Sequence, residues 1–415
     1  MPTSNSNNIH KYLENFCLHP CDKTEAKTQI QDVDIKGIKV RKYINEFWTS
    51  KQRQASSIHE VSYRACFKPQ LPRFFIEFLT HKDDIIYDPF SGRGTTVIEA
   101  GLLGRRVIAN DINPLSEILC YPRFFVPKLS EVDERLKEIP IDKNAKADID
   151  LSMFYHHETE GEIVSLKNYL LERKQSGKED VLDKWIRMVA TNRLTGHSKG
   201  FFSVYTLPPN QATSPERQIK INKRRGQKPE YRNTRKLILK KTKSLIKNVT
   251  ESQKENLFNA GKTAIFLTQD SGRTEQIPSD CVKLTVTSPP FLDIVQYSQD
   301  NWLRCWFNSI DVESVSERIT ITSSVEKWST VMQEVFNELF RITKKGGWVA
   351  FEVGEVRGGS IKLDEYVVPL GLKSGFSCEG ILINLQEFTK TSNIWGIDNN
   401  VSGTNTNRIV IFKKE

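Results

Sequence analysis

Ile85-Ile86-Tyr87-Asp88-Pro89-Phe90-Ser91-Gly92-Arg93-Gly94-Thr95-Thr96 is the stretch that decides how this 415-residue chain folds. Ile85, Ile86 and Tyr87 favour extended backbone, Pro89 and Gly92 punctuate a turn, and Thr95 to Leu103 can run as a helix. Such a helix presents unpaired N–H groups to a ligand, and Gly92 and Gly94 let the backbone approach it without a Cβ in the way. The next apolar run, Arg106 to Asn110, ends at Asp111, about 20 residues after the first, where a carboxylate can accept hydrogen bonds from a ribose. A small-molecule cofactor is expected here. The rival is a nicotinamide site, but its third glycine position holds Val97, and Phe90 stands where that loop has no fixed aromatic.

A second apolar run, Cys281 to Val286, leads into Thr287-Ser288-Pro289-Pro290-Phe291. Together the two stretches resemble the DNA amino-methyltransferases, enzymes that use S-adenosylmethionine (SAM). The resemblance implies that Asp88, Phe90, Gly92, Gly94, Thr95 and Thr96 bind SAM, Asp88 near its methionine moiety. It gives the ribose to Asp111, the adenine amino group to Asp270, and closure over the methionine end to Phe67. It implies that Ser288, Pro289, Pro290 and Phe291 carry the chemistry. Each residue has a plainer reading as well: Phe67, like Phe74 and Phe75, could be a core aromatic, each Asp a cap, and the tandem proline a rigid loop, as at Pro208-Pro209.

An exocyclic amino nitrogen is a poor nucleophile because its lone pair is delocalised into the ring. Ser288 Oγ and the Pro289 carbonyl can accept its two hydrogens and turn the lone pair outward, consecutive prolines keep the turn stiff, and Phe291 can stack on the base. The base must leave the duplex to reach them. No metal or covalent nucleophile is needed. Methylation at C5 is disfavoured, since the chain's one Pro-Cys pair, Pro20-Cys21, lies far from this strand. In the family, Ser at the first motif position goes mostly with cytosine N4, whereas the order of cofactor loop, insertion and catalytic motif, the alpha-like arrangement, is more often reported for adenine enzymes. The expectation is a cytosine-N4 DNA methyltransferase, the protective half of a restriction-modification pair whose nuclease is encoded nearby. Adenine-N6 methylation, amino methylation of RNA, and an inactive DNA-binding module on the same scaffold are the alternatives.

The fold expected is α/β, a doubly wound, mostly parallel Rossmann-like sheet with an antiparallel C-terminal edge strand. Strands are read at Thr263 to Leu267, Trp348 to Val353, Gly380 to Leu385 and Arg408 to Phe412, the last two as an antiparallel closing pair. A helix from Val325 to Ile342 should end at Gly346-Gly347. Length predicts two domains or one core with a large insertion. Residues 1–42 read as a polar arm, 43–126 and 260–415 as the methyltransferase domain, and 127–259 as an inserted helical, basic region for DNA recognition. From Glu216 to Lys247 there are 13 Lys and Arg against two acids, a local +11 that exceeds the +9 of the whole chain. Such a run is either a solvated face or a phosphate-contacting one, and in an enzyme of double-stranded DNA the second is expected. Thr195 to Phe202 and Leu207 to Gln211 supply polar and aromatic side chains on turn-rich backbone, the kind that reads base edges.

Seven scattered cysteines argue against a disulfide framework and for a reducing compartment. Cys17 and Cys21 could pair with His10 or His19 on zinc, but no second pair follows, and no metal site is assigned. No apolar run approaches membrane length, and Met1 to Asn8 is not signal-like. A cytoplasmic, nucleoid-associated protein is expected.

Overall fold

β-branched and aromatic side chains alternate between two apolar layers, and that alternation builds the sheet. The computed structural model describes residues 9–18, 27–49, 55–64, 66–207, 212–290, 297–319, 322, 324–356, 360–385 and 407–415. Its strands are β1 (Gln29–Ile35), β2 (Ile38–Asn45), β3 (Ile85–Asp88), β4 (Arg106–Asn110), β5 (Ile265–Leu267), β6 (Val282–Thr287), β7 (Thr343–Val353), β8 (Glu355–Val356), β9 (Ile361–Lys362), β10 (Ser377–Asn384) and β11 (Asn407–Lys413). Nine of them form one sheet in the order β1-β2-β10-β11-β7-β6-β3-β4-β5, and β8 pairs with β9 apart from it. The block from β7 through β6, β3 and β4 to β5 is parallel, while β11 runs antiparallel to both β7 and β10. This is a mostly parallel, Rossmann-like α/β sheet.

Along β3, Ile86 packs into one layer and Tyr87 into the other; along β7, Trp348 and Ala350 face the first and Val349, Phe351 and Val353 the second. Helices Gln70–Leu79 and Thr95–Leu102 cover the first face, and Val325–Ile342 and Asp364–Lys373 the second. The helices of the middle region, among them His157–Gln175 and Val181–Arg193, join the first layer, where Trp185, Ile186 and Met188 share a core with Phe124 and Leu257.

Two details differ from the sequence reading. Residues read as the end of a polar arm form the β1-β2 hairpin, which extends the sheet beyond β10 and takes its edge, so the closing pair β10-β11 lies inside the sheet. The hairpin is held because Ile35, Val40 and Tyr43 are buried and the Asn384 carboxamide oxygen accepts the N–H groups of Phe47 and Trp48 at 2.7 and 3.2 Å. Secondly, helix Val325–Ile342 stops because Thr343 turns extended to pair with Val282, not because of a glycine cap. Gly346, at φ +70°, and Gly347 instead lie inside β7, where a register shift relative to β6 needs them. No helix among the described residues is long and apolar enough to cross a membrane.

Candidate active site

The carboxyl ends of β3 and β6 meet at the middle of the sheet, with Ile86 opposite Leu284 and Tyr87 opposite Thr285. Asp88, 1% exposed, accepts the Thr287 hydroxyl at 2.6 Å and the Phe90 N–H at 3.2 Å. Thr96, in the first turn of the next helix, donates to the Val286 carbonyl at 3.0 Å. The glycine loop and the Ser-Pro-Pro turn are therefore fastened together by side chains on both sides. Burial pushes the Asp88 carboxyl up to about 7, against the hydrogen bonds from Thr287 and Phe90.

Asp111 faces the loop from the end of β4. Its Oδ2 accepts the Gly92 N–H at 2.7 Å and its Oδ1 the Asn113 N–H at 3.0 Å, and burial raises it to about 6 despite both. Gly92 and Gly94 have φ of +51° and +77°. Gly94 is also sterically required, since a Cβ there would overlap Cys120 Sγ; its neighbour is protein, which revises the reading that ligand approach alone explains it. Over Gly92 lies Tyr63, whose ring would stand 3.5 Å from an added Cβ and whose hydroxyl accepts the Asn113 amide at 3.0 Å. Phe67 is half-buried and packs against the first apolar layer. Phe90 packs on the opposite layer, and Thr95 accepts Arg93 Nε at 3.2 Å.

Asp270 sits apart from this cluster. It is exposed, and its Oδ1 caps a turn by accepting the Gly272 N–H at 2.8 Å. The neighbouring backbone does reach the site, because Asn110 exchanges hydrogen bonds with Gln269 at 3.0 Å each way.

At the Ser-Pro-Pro turn Ser288 is half-buried, Pro289 buried and Pro290 exposed, and Phe291 lies outside the described residues. The Pro290 carbonyl accepts Trp328 Nε1 at 3.1 Å. Glu352, an 8% exposed carboxyl near the end of β7, accepts the Asn407 amide at 2.8 Å and lies beside the Ser288 hydroxyl; burial raises it above the usual carboxylate range, and these two neighbours hold it down in part.

Residues 6–117, which include the glycine loop and Asp111, match the DNA methylase family of N6/N4 methyltransferases. Type II methyltransferase M.BsoBI of Geobacillus stearothermophilus is 24% identical over 313 residues, 68% of this chain and 60% of that protein. Two proteins of Methanocaldococcus jannaschii match over shorter stretches: Type II methyltransferase M.MjaII is 32% identical over 95 residues, and tRNA (guanine(10)-N2)-dimethyltransferase 31% over 102, each 22% of this chain and 17% and 29% of theirs. These matches support the DNA amino-methyltransferase family. The chain spans 60% or less of the length of these curated relatives.

Set against an amino-methyltransferase motif, three contributors were missed in the sequence. Tyr63 lies in an aromatic stretch that offers no motif, Glu352 reads as a charge within a strand, and Trp328 reads as one apolar position of a helix. The expected recognition stretch Thr195 to Phe202 is a turn-rich segment stapled by Arg232, whose Nη1 donates to the carbonyls of Ser198, Phe201 and Ser203 and leaves His197, Ser198 and Lys199 exposed. Of the second expected stretch Leu207 is described, and Pro208 to Gln211, like Cys21 and His19, lie outside the described residues.

Proposed function

We propose that this chain is a SAM-dependent DNA methyltransferase that modifies the exocyclic N4 amino group of cytosine in a specific duplex sequence, as the modification enzyme of a restriction-modification system. The observation that carries the reading is the pair of hydrogen bonds Thr287 to Asp88 and Thr96 to Val286, 2.6 and 3.0 Å, which fasten the cofactor loop to the Ser-Pro-Pro turn. The DNA methylase match over residues 6–117 supports DNA as substrate, and the Type II methyltransferases among the relatives support the restriction-modification role.

SAM supplies a methyl group already activated on a sulfonium. The donor set fits it: each Asp111 oxygen accepts one backbone N–H and keeps a lone pair that a ribose hydroxyl would use, while Asp88 would offer a carboxyl to the cationic methionine end. Gly92, Gly94, Thr95 and Thr96 would line the loop, Phe67 and Phe90 flank it, and Asp270 is the residue assigned to the adenine.

Ser288 does the decisive work on the acceptor side. With Glu352 beside it to take its proton, the hydroxyl would present lone pairs, rather than a hydrogen, to an amino group. With the Pro289 carbonyl it accepts the two amino hydrogens, which draws the nitrogen lone pair out of conjugation and aims it at the methyl carbon. The Trp328 bond to Pro290 holds the stiff turn in that orientation. Positioning supplies the rate, and the base enters by flipping.

Tritium transfer from labelled SAM to duplex DNA, followed by digestion to nucleosides, tests the proposal, with N4-methylcytosine as the expected product. N6-methyladenine would move the activity to adenine. Label only in structured RNA would favour the chemistry of the tRNA-modifying relative, and DNA binding without transfer would make the chain a binding module. Ser288→Ala should lower kcat by about 10²-fold, the scale of a lost transition-state hydrogen bond, with SAM affinity unchanged. Full activity in that variant removes Ser288 from the site.

A further inference from the structure

The 13 cations of the basic run do not all face outward. Arg232 staples the loop described above, Arg235 donates to the Ile139 carbonyl, Lys241 pairs with Glu60 at 3.5 Å, and Arg225 lies 3.9 Å over the Tyr205 ring. The first three are half-buried in the fold, and Arg225 is engaged by the ring although exposed. On the helix Pro215–Arg225, by contrast, Arg217, Lys220, Lys223 and Arg224 are exposed, and none forms an ion pair among the described residues. Offsets of three and seven put Arg217, Lys220 and Arg224 in one row along that helix, roughly a quarter-turn round from the buried Gln218 and Ile221.

The inner side of the helix is bolted down. Gln218 Nε2 donates to the Tyr205 carbonyl at 3.1 Å, and Asn222 Nδ2 to the Met153 carbonyl at 2.8 Å. Its start is tied to the helix Tyr297–Asn308, the next helix after the Ser-Pro-Pro turn: Ala212 N–H donates to the Asp300 carbonyl at 3.1 Å, and Trp302 Nε1 to the Thr213 carbonyl at 3.2 Å. Asp300 is in turn held by Arg64 at 2.7 Å, from the segment beside the cofactor loop. A rigid row of like charges is thus set at a fixed offset from both halves of the site. Mutual repulsion along the row is relieved by a polyanion.

We infer that Arg217, Lys220 and Arg224 form a phosphate-contacting row that sets the register of the duplex against the Ser-Pro-Pro turn. This rests on the reading that duplex DNA is the substrate. Phosphate contacts carry no sequence information of their own, but they fix position and orientation, which base readout and flipping both need. The second basic helix, Thr234–Ile246, has exposed Lys236, Lys240 and Lys243, packs against the helices Leu129–Glu138 and Val181–Arg193, and reaches residues 57–60 through Leu245 and Lys241, but among the described residues no hydrogen bond ties it to the helix Tyr297–Asn308.

The test measures duplex binding by the full chain across a salt series. The R217Q/K220Q/R224Q variant should flatten the slope of log K against log salt by about 2.7, at about 0.9 per phosphate contact, and raise the KM for DNA, with the SAM dissociation constant unchanged. The K236Q/K240Q/K243Q variant removes the same charge and should change the slope by less than about 1. Equal effects of the two variants, or none from the first, overturn the row while leaving the methyltransferase reading intact. Wild-type protein that binds SAM but no duplex overturns that reading itself.

Discussion

Burial gives Asp88 and Asp111 their character before any ligand arrives. With carboxyls raised to about 7 and about 6 from an ordinary 3.8, both hold protons in the folded, cofactor-free chain between about pH 4 and 6 that they would release on unfolding. Their contribution to stability is therefore full below about pH 4 and is lost as pH rises through 6 and then 7. A cationic methionine end reverses the preference, because it favours the ionised carboxylate. Between pH 5.5 and 7.0 the ionised fraction of an acid with a pKa near 7 climbs from about 3% to about half, so SAM affinity should rise by about tenfold over that interval. Equilibrium dialysis across the interval checks this, and Asp88→Asn should flatten the rise. A dissociation constant that stays level in the wild-type chain would separate Asp88 from the donor's charge.

The loop between β3 and the helix Thr95–Leu102 works as an element only while its second glycine has no side chain. Gly94→Ala forces φ +77° on an L-residue and drives a methyl into Cys120, a combined cost of about 3 kcal/mol. Cys120→Ala should relieve part of it, so urea unfolding of the two single variants and the double should show coupling of about 1 kcal/mol or more; strict additivity would mean that the loop relaxes elsewhere. This loop was legible in the sequence because everything that specifies it is local: β propensity up to Tyr87, a turn at Pro89, a helix from Thr95. The same holds for Val282–Thr287 and for Val325–Ile342, whose periodicity needs no partner. What stayed hidden depends on sheet order. Glu352 becomes a partner of Ser288 only because β7 lies beside β6, Tyr63 covers Gly92 from a segment without a periodic pattern, and the hairpin β1-β2 is polar along its exposed face, so its buried Val40 and Tyr43 do not stand out.

At the scale of the molecule, the region between β4 and β5 is joined to the sheet too closely to behave as a separate body. Trp185, Ile186, Met188 and Val189 on the helix Val181–Arg193 share a core with Ile86, Val107 and Val286 of the sheet, so cutting there would expose apolar surface on both sides. Polar bridges run across the same boundary in three places. The Ser57 hydroxyl donates to the Leu245 carbonyl at 2.8 Å, the Asn192 amide to the Ser62 carbonyl at 3.1 Å, and the Asn308 amide to the Thr191 hydroxyl at 2.9 Å. Two of these strap down residues 57–62, the segment that leads to Tyr63 over the glycine loop, so loss of the inserted helices would loosen the cofactor site as well. The full chain should therefore unfold in one transition, with the near-ultraviolet signal of its tryptophans and the far-ultraviolet helix signal falling at the same temperature. SAM should raise that temperature for both signals together, since a ligand of the sheet then stabilises the inserted helices through the shared core. A fragment of residues 127–259 should give no cooperative melt of its own. An early helical transition that SAM leaves unmoved, or a fragment that folds alone, would show that the two regions are coupled only through the chain that links them.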